Sequence, residues 1–417
     1  MADLFCGIDF GTSNSTVALA DRARAWLMPL EGAEVTLPSA VFWEADGAPP
    51  TFGRAAIASY VEGEDGRLMR ALKSTLGSSL NDERTAIGKK SVTFKAVLTA
   101  FFRHLVALQT AQTGPLARII LGRPVHFVDG DDVADARAHA VLEEIAKGLG
   151  FAEVGFQFEP IAAALHYEQT VQHEELVLIV DIGGGTSDFS IVRVSPDRAL
   201  YVDRAGDILA NDGIRVGGTD FDRLLSLAEV LPHLGYLAPT KGGQGTMPRH
   251  YYLDLATWHR INFLYTQRIA ADLKALRTEA VRPELIDRMI KVVAGRHGHA
   301  LAMAVEAAKI ELSQAPATRL QVSALTGGPN PIARREGFET AVEAPLQRIA
   351  TTIADVLAQA GVTADQIGTV FMTGGSSGLP VLRALVAVAL PQARIATGDM
   401  LGSVGTGLAL DARRRFG

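Results

Sequence analysis

The chain has little cysteine, few aromatic residues and no long apolar run. Of its 417 residues, one is cysteine and 6% are aromatic. Cys6 lies inside an apolar segment, so no disulfide framework can form, and a core thiol in a reducing compartment is expected. No stretch approaches the roughly 20 apolar residues that span a bilayer. The amino terminus meets Asp3 at once, where an export signal has a basic segment followed by an apolar one. A cytoplasmic protein with no membrane partner is therefore expected. Excess positive charge is missing too. The net charge is −6 and the pI near 6.0, so nucleic acid finds no basic face. Short runs of one sign, Arg413-Arg414-Arg415 and residues 129–132, read as solvated surface. The ten histidines show no metal-ligand spacing, and His297-Gly298-His299 reads as a loop.

What is present is apolar material for two sizeable cores: 48% of residues are hydrophobic and 21% charged, in a chain longer than one ordinary domain. Strands and helices alternate as in mixed sheets covered by helices. Residues 37–43 read as a strand and 54–60 as a short helix. Val97, Leu98, Phe101, Phe102 and Leu105 recur at helical spacing within 93–111. Residues 118–125 read as a buried strand stopped at Pro124. Residues 132–149 read as a helix with Gly150 at its C-terminal cap. A helical stretch follows over about 220–312, and 368–373 gives another apolar strand. The aromatic cluster around His250-Tyr251-Tyr252 and 258–265 reads as packing of that stretch. Lys241-Gly242-Gly243-Gln244-Gly245 joins no strand to a helix start and has no reason to bind phosphate.

Two glycine-rich hairpins stand out, each entered by an apolar strand ending in an aspartate. The first runs Asp9-Phe10-Gly11-Thr12-Ser13-Asn14, the second Asp181-Ile182-Gly183-Gly184-Gly185-Thr186-Ser187-Asp188. In each, a turn faces backbone N–H groups outward, a cradle for phosphate oxygens, while the aspartate can hold a hydrated Mg²⁺. One such hairpin is a common turn; two in matching contexts are one device used twice.

With three further segments the pattern becomes specific. These are Arg70-Ala71-Leu72-Lys73; Glu159-Pro160-Ile161-Ala162-Ala163-Ala164; and Ala308-Lys309-Ile310-Glu311-Leu312-Ser313 with Thr373-Gly374-Gly375-Ser376-Ser377-Gly378. In this order, with Val216-Gly217-Gly218-Thr219-Asp220 after the second hairpin, the chain resembles the ATPase domain of the seventy-kilodalton heat-shock chaperones. Within that DnaK-type family it is most similar to the short YegD-type proteins. The resemblance implies an α/β, actin-like ATPase fold with two lobes, each built on a ribonuclease H-like mixed five-stranded sheet flanked by helices. The lobes would be residues 1–175, with an inserted outer subdomain at about 38–111, and residues 176–417, with a helical insertion at about 220–312. It implies ATP or ADP with Mg²⁺ as ligands, slow hydrolysis coupled to lobe closure, and an unidentified protein partner or co-chaperone that reads the motion. A monomer is expected.

By the same resemblance, Asp9 and Asp181 hold the metal through its waters. Lys73, Thr186 and Asp188 stand beside the terminal phosphate and the attacking water, Glu159 stands near the metal, and these four with Asp181 make the catalytic set. Gly11, Thr12, Ser13, Asn14, Gly183, Gly184 and Gly185 cradle the phosphates. Gly217, Gly218, Glu306, Lys309, Ser313, Gly374, Gly375, Ser376 and Asp399 complete the nucleotide site. From local context alone, Lys73 on a short helix reads as a solvated side chain, Glu159 before Pro160 as an ordinary helix entry, and Glu306, Lys309 and Ser313 as a solvated helix face.

The chain departs from the family where two arginines often sandwich the adenine: Ile310 and Gly378 stand there. Loss of a cation over an aromatic face is worth about 0.5 to 2 kcal/mol, so weaker adenine binding is expected. The chain ends at Gly417, where full chaperones continue into a peptide-binding domain, and no such domain is expected here. Two other readings share the core: a bacterial actin-like filament former, and a sugar or metabolite kinase.

Overall fold

The computed structural model describes residues 3–70, 72–76, 84–87, 90–128, 131–243, 245–397 and 402–417. They form two compact units: Met1–Arg215 with Thr351–Ser377 and Val386–Gly417, and Val216–Ala350 with Gly378–Leu385.

The first unit begins with β1 (Phe5–Phe10), β2 (Asn14–Ala20), β3 (Ala25–Leu27) and β4 (Thr36–Pro38). A small sheet of β5 (Ala40–Glu44), β6 (Thr51–Phe52) and β7 (Gly66–Arg70), with α1 (Gly53–Val61), follows, then the hairpin of β8 (Arg84–Ile87) and β9 (Lys90–Thr93). α2 (Phe94–Thr113) starts where Thr93 accepts the Ala96 N–H at 3.2 Å, a side-chain cap for an otherwise unpaired donor. β10 (Arg118–Arg123), α3 (Asp132–Gly148), β11 (Glu153–Phe158) and α4 (Glu159–Glu168) complete this half. The sheet runs β11-β10-β1-β2-β3, with β4 as a sixth strand beside β2. β1 pairs antiparallel with β2 and parallel with β10.

The plan then repeats. β12 (Glu175–Ile182), β13 (Ser187–Val194), β14 (Ile208–Ile214), β17 (Ile367–Thr373) and β18 (Arg394–Thr397) make a sheet ordered β14-β13-β12-β17-β18. β12 is antiparallel to β13 and parallel to β17. Each first strand thus carries its hairpin partner on one side and a parallel neighbour on the other, and its carboxyl end, with the aspartate, is left at the sheet's rim.

The two sheets share a core. Ala18 and Ile120 of the first and Val177, Ile179, Val192 and Phe371 of the second cluster with Ile161 and Ala162–Ala164 of α4 and with Leu408, Ala409 and Ala412 of α14 (Ser403–Phe416). These helices cross closely: a side chain on Gly407 would occupy the space of the Ala162 carbonyl, so only glycine fits. On the other face of the first sheet, Ile8, Phe10, Val17 and Leu19 pack on Val97, Leu98, Phe101, Phe102 and Leu105 of α2 and Leu142 and Ile145 of α3. This is the stripe expected from the helical spacing.

The second unit holds α5 (Gly218–Leu225), α6 (Arg249–Leu255), α7 (Gln267–Glu279), α8 (Pro283–Ala294), α9 (Gly298–Leu312), the two-stranded β15 (Ala317–Arg319) and β16 (Ile332–Arg334), and α11 (Arg335–Ala341), with the single turn α10 (Ser323–Thr326) between the strands. Tyr251, Tyr252, Ile261 and Leu264 are buried, as packing required, whereas Phe263 is exposed. α12 (Glu343–Ala360) and α13 (Pro380–Ala389) complete the chain's helices among the described residues.

Two readings of local sequence are corrected. Residues 37–43 form not one strand but two, in different sheets, because Ser39 turns aside to bond the first hairpin. Residues 297–299 are not a loop: α9 opens at Gly298, and buried His299 places Nε2 3.1 Å from the Trp258 carbonyl.

Candidate functional site

The first hairpin is held from below by a residue that sequence reasoning missed. Ser39 donates its hydroxyl to the Gly11 carbonyl at 2.7 Å and its N–H to the Ser13 carbonyl at 2.8 Å, and its Oγ lies 2.9 Å from that of buried Ser15. The only sequence signal was a serine interrupting an apolar run. With carbonyls 11 and 13 engaged, the turn has a fixed shape. Asp9 lies opposite Thr16 at its base, and the ring of Phe10 packs edge-on against Phe102, centroids 4.9 Å apart.

In the second hairpin the Gly183 N–H donates to the Thr186 carbonyl at 2.9 Å, closing the turn. Asp181 and Asp188 are directly opposite across β12 and β13, and Thr186 Oγ1 lies 3.4 Å from Asp188 Oδ2. A third loop backs this hairpin. Gly374 has φ of +83°, and a side chain there would collide with the Asp181 carboxylate and the Ile182 carbonyl. Glycine supplies both the left-handed backbone and the room. The Ser376 N–H donates to the Ile182 carbonyl at 3.2 Å and the Ser377 hydroxyl to the Gly374 carbonyl at 2.7 Å. The hairpins of the two sheets also meet, because a side chain on Gly184 would overlap the Ser13 hydroxyl.

Lys73 lies on the single 3₁₀ turn Leu72–Thr75. It is not a solvated side chain. Its side chain is 12% exposed and donates to Glu159 Oε1 at 2.5 Å, with Glu159 17% exposed. Both lysine and glutamate come from ordinary-looking local contexts, and only the fold makes them partners. Burial opposes the Lys73 charge, but Glu159, Asp9 and Asp188 outweigh it and raise its pKa. It therefore stays an ammonium.

The carboxylates behave oppositely. Burial pushes Asp9 up to about 7, with Glu159 adding repulsion and Lys73 opposing it. Burial pushes Asp181 up to about 8, with Asp188, Glu159 and Asp9 adding repulsion against Lys73. Four carboxylates thus share one ammonium. A cluster of hard oxygens short of positive charge fits a Mg²⁺ ion with its waters. Among the described residues no group of three or more acidic, histidine or cysteine side chains is close enough to ligate a metal directly. A small cavity lined by Glu159, Pro160, Asp181, Asp188, Ser190 and Asn211 adjoins the cluster.

One unit therefore brings together Asp9, Lys73, Glu159, Asp181, Thr186 and Asp188 with the turns at 11–14, 183–185 and 374–376. Of the remaining predicted residues, Gly217, Gly218, Glu306, Lys309 and Ser313 lie in the other unit. Gly217 caps α5, its N–H donating to Asp220 Oδ2 at 3.0 Å. Buried Lys309 reaches from α9 to the Gly218 carbonyl at 3.1 Å and to Asp222 Oδ1 at 2.8 Å. Lys309 is thus no part of a solvated face. Ser313 Oγ lies 3.4 Å from the Lys309 carbonyl, and Glu306 is exposed. Ile310 is 56% exposed, an apolar surface in search of a cover. Asp399 falls outside the described residues.

Residues 287–412 match the sequence model of the Hsp70 protein family, and residues 91–226 that of the MreB/Mbl protein family. The chaperone protein HscA of Citrobacter koseri is 26% identical over 91% of this chain and 53% of its own length. HscA of Salmonella typhimurium is 25% identical over the same shares. The chain is thus similar to the Hsp70 family, by the model over 287–412 and, at low identity, along most of its length. Its duplicated sheets, each with the same strand order and an aspartate hairpin at the rim, are those of an actin-like ATPase fold, as the resemblance implied. The count differs by one strand: β4 makes the first sheet six-stranded. The chain spans about half the length of the curated relatives it matches. No helix among the described residues is long and apolar enough to cross a membrane.

Proposed function

We propose that the protein binds ATP with Mg²⁺ and hydrolyses it slowly, closing two lobes, residues 1–175 and 176–417, as a switch read by a protein partner of co-chaperone kind. The observation that carries this reading is the Lys73–Glu159 pair beside the aspartates of both hairpins. Hydrolysis of a phosphoric anhydride is mostly positioning and charge neutralisation, and each part has a candidate here. The amides of 11–14 and 183–185 cradle the phosphates. Asp9 and Asp181 hold the metal's waters. Bound Mg²⁺ supplies neutralisation of the phosphate oxygens. Lys73, kept charged by its acidic neighbours, faces the terminal phosphoryl, and Glu159 fixes that ammonium. Thr186 and Asp188 orient the attacking water. Gly217, Gly218, Glu306, Lys309 and Ser313 serve the nucleoside, with Gly374, Gly375, Ser376 and Asp399.

Calorimetric titration with ATP and ADP, with and without Mg²⁺, tests the binding. Lys73→Ala is expected to keep binding and to lose turnover by on the order of 100-fold. Absence of binding by the unmodified protein would defeat the reading. The match to MreB/Mbl over 91–226 supports one other reading, an ATP-driven filament, and light scattering that rises on ATP addition would favour it.

A further inference from the structure

Helix α4 carries Glu159 at its first residue and Glu168 at its last, about 14 Å apart along the axis. Its middle, Ile161 to Ala164, is fully buried, and the three alanines offer α14 and the sheets a nearly smooth surface. Between the larger buried Ile161 and Leu165, these small side chains give the middle of the helix little to fix its position along its own axis. A polar anchor stands at the far end. The buried Glu168 carboxylate accepts both terminal nitrogens of Arg204, at 2.8 and 2.9 Å, and the Ser195 N–H at 3.1 Å. The Arg204 side chain is fully buried; it also pairs with Asp207 and donates to the Arg193 carbonyl at 3.3 Å. Asp207 is held in turn by Arg198, which reaches Glu174 at 2.9 Å. Ser195 and Arg193 belong to or adjoin β13, the strand that carries Asp188 at its other end.

A buried ion pair is poor evidence of stability, since apolar residues of similar volume often serve a fold as well or better. Its geometry is another matter: a two-pronged guanidinium-carboxylate contact is rigid in direction and distance. We infer that Arg204 is a positioning residue for the proposed ATPase: by clamping Glu168 to the β13 side of the second sheet, it sets the axial position of α4 and so places Glu159 and Lys73 against Asp181 and Asp188. The inference rests on the ATPase reading.

The test uses the full chain. Arg204→Met combined with Glu168→Leu removes one charge of each sign, leaves Asp207 its Arg198 partner, costs only the Ser195 N–H its acceptor, and keeps apolar bulk. Phosphate release gives kcat and KM, calorimetry gives the affinity for ATP, and thermal melting reports the fold. The double variant is expected to melt near the wild type and to bind ATP within about two-fold, with kcat lower by on the order of 10- to 100-fold, the scale set by a misplacement of about 1 Å. Arg204→Lys keeps the charge without the fork and is expected to fall between. A double variant with wild-type kcat overturns the inference and leaves the ATPase reading intact. A loss carried in KM and affinity alone overturns it as well. If the double variant does not fold, Arg204→Lys decides, and wild-type kcat there is the overturning result. A wild-type protein with no turnover overturns the ATPase reading and this inference with it.

Discussion

At the scale of single residues, the site is defined by an imbalance: carboxylates crowd where one lysine balances them. Asp9 and Asp181 hold their protons up to about 7 and about 8, first because burial penalises the charge and then because their neighbours repel it. In the unfolded chain both titrate near 3.8. Between those limits the folded protein binds more protons than the unfolded one, so their contribution to stability is intact below about pH 4 and declines as pH rises toward 8. Asp181→Asn removes that burden. Without nucleotide, the variant is expected to gain on the wild type by up to about 1.4 kcal/mol for each unit of pH across this range. Melting curves from pH 5 to 8 measure it, and a pH-independent difference between the two proteins would contradict the assignment.

At the scale of elements, the close crossing of α4 and α14 is the most demanding contact. Gly407 lies against the Ala162 carbonyl with no room for a side chain. Gly407→Val is expected to drive the helices apart and to destabilise by about 1–3 kcal/mol or more, as overpacking does, with turnover falling too because α4 carries Glu159. Chemical denaturation and phosphate release measure the two losses, and a variant with unchanged stability would show that the crossing tolerates bulk. Much at this scale was legible in sequence. The stripe of Val97, Leu98, Phe101, Phe102 and Leu105 announced α2, and the apolar run before each aspartate announced β1 and β12, because 3.6- and 2-residue periods are local properties. The break at Ser39 was not, since the bonds that turn that residue aside come from a hairpin about 26 residues earlier.

At the scale of the whole molecule, a ligand bound only by the folded state stabilises it by mass action. ATP or ADP with Mg²⁺ at 100 times its dissociation constant is expected to add about 2.7 kcal/mol, read as a rise in melting temperature. On the proposed nucleotide site, Ile310, exposed on α9, and Gly378 stand where the resembled family often has arginines, which predicts only a modest preference for ATP over other nucleoside triphosphates. Melting shifts with GTP and CTP nearly equal to that with ATP would bear this out, and a shift confined to ATP would refute it.

The sequence by itself determined the two hairpins and the strands that lead into them. Each is a contiguous segment whose glycines, aspartate and apolar run carry their own conformational preferences. It also singled out Lys73 and Glu159, though only through resemblance to a family, because neither residue is unusual among its neighbours. Tertiary structure alone decided that the two form a pair, that Lys309 is buried against Asp222, that Ser39 props the first hairpin and that Arg204 clamps the end of α4. Those contacts join residues 24 to 87 positions apart, and partners so distant are chosen by the packing of sheets and helices, which no local pattern records.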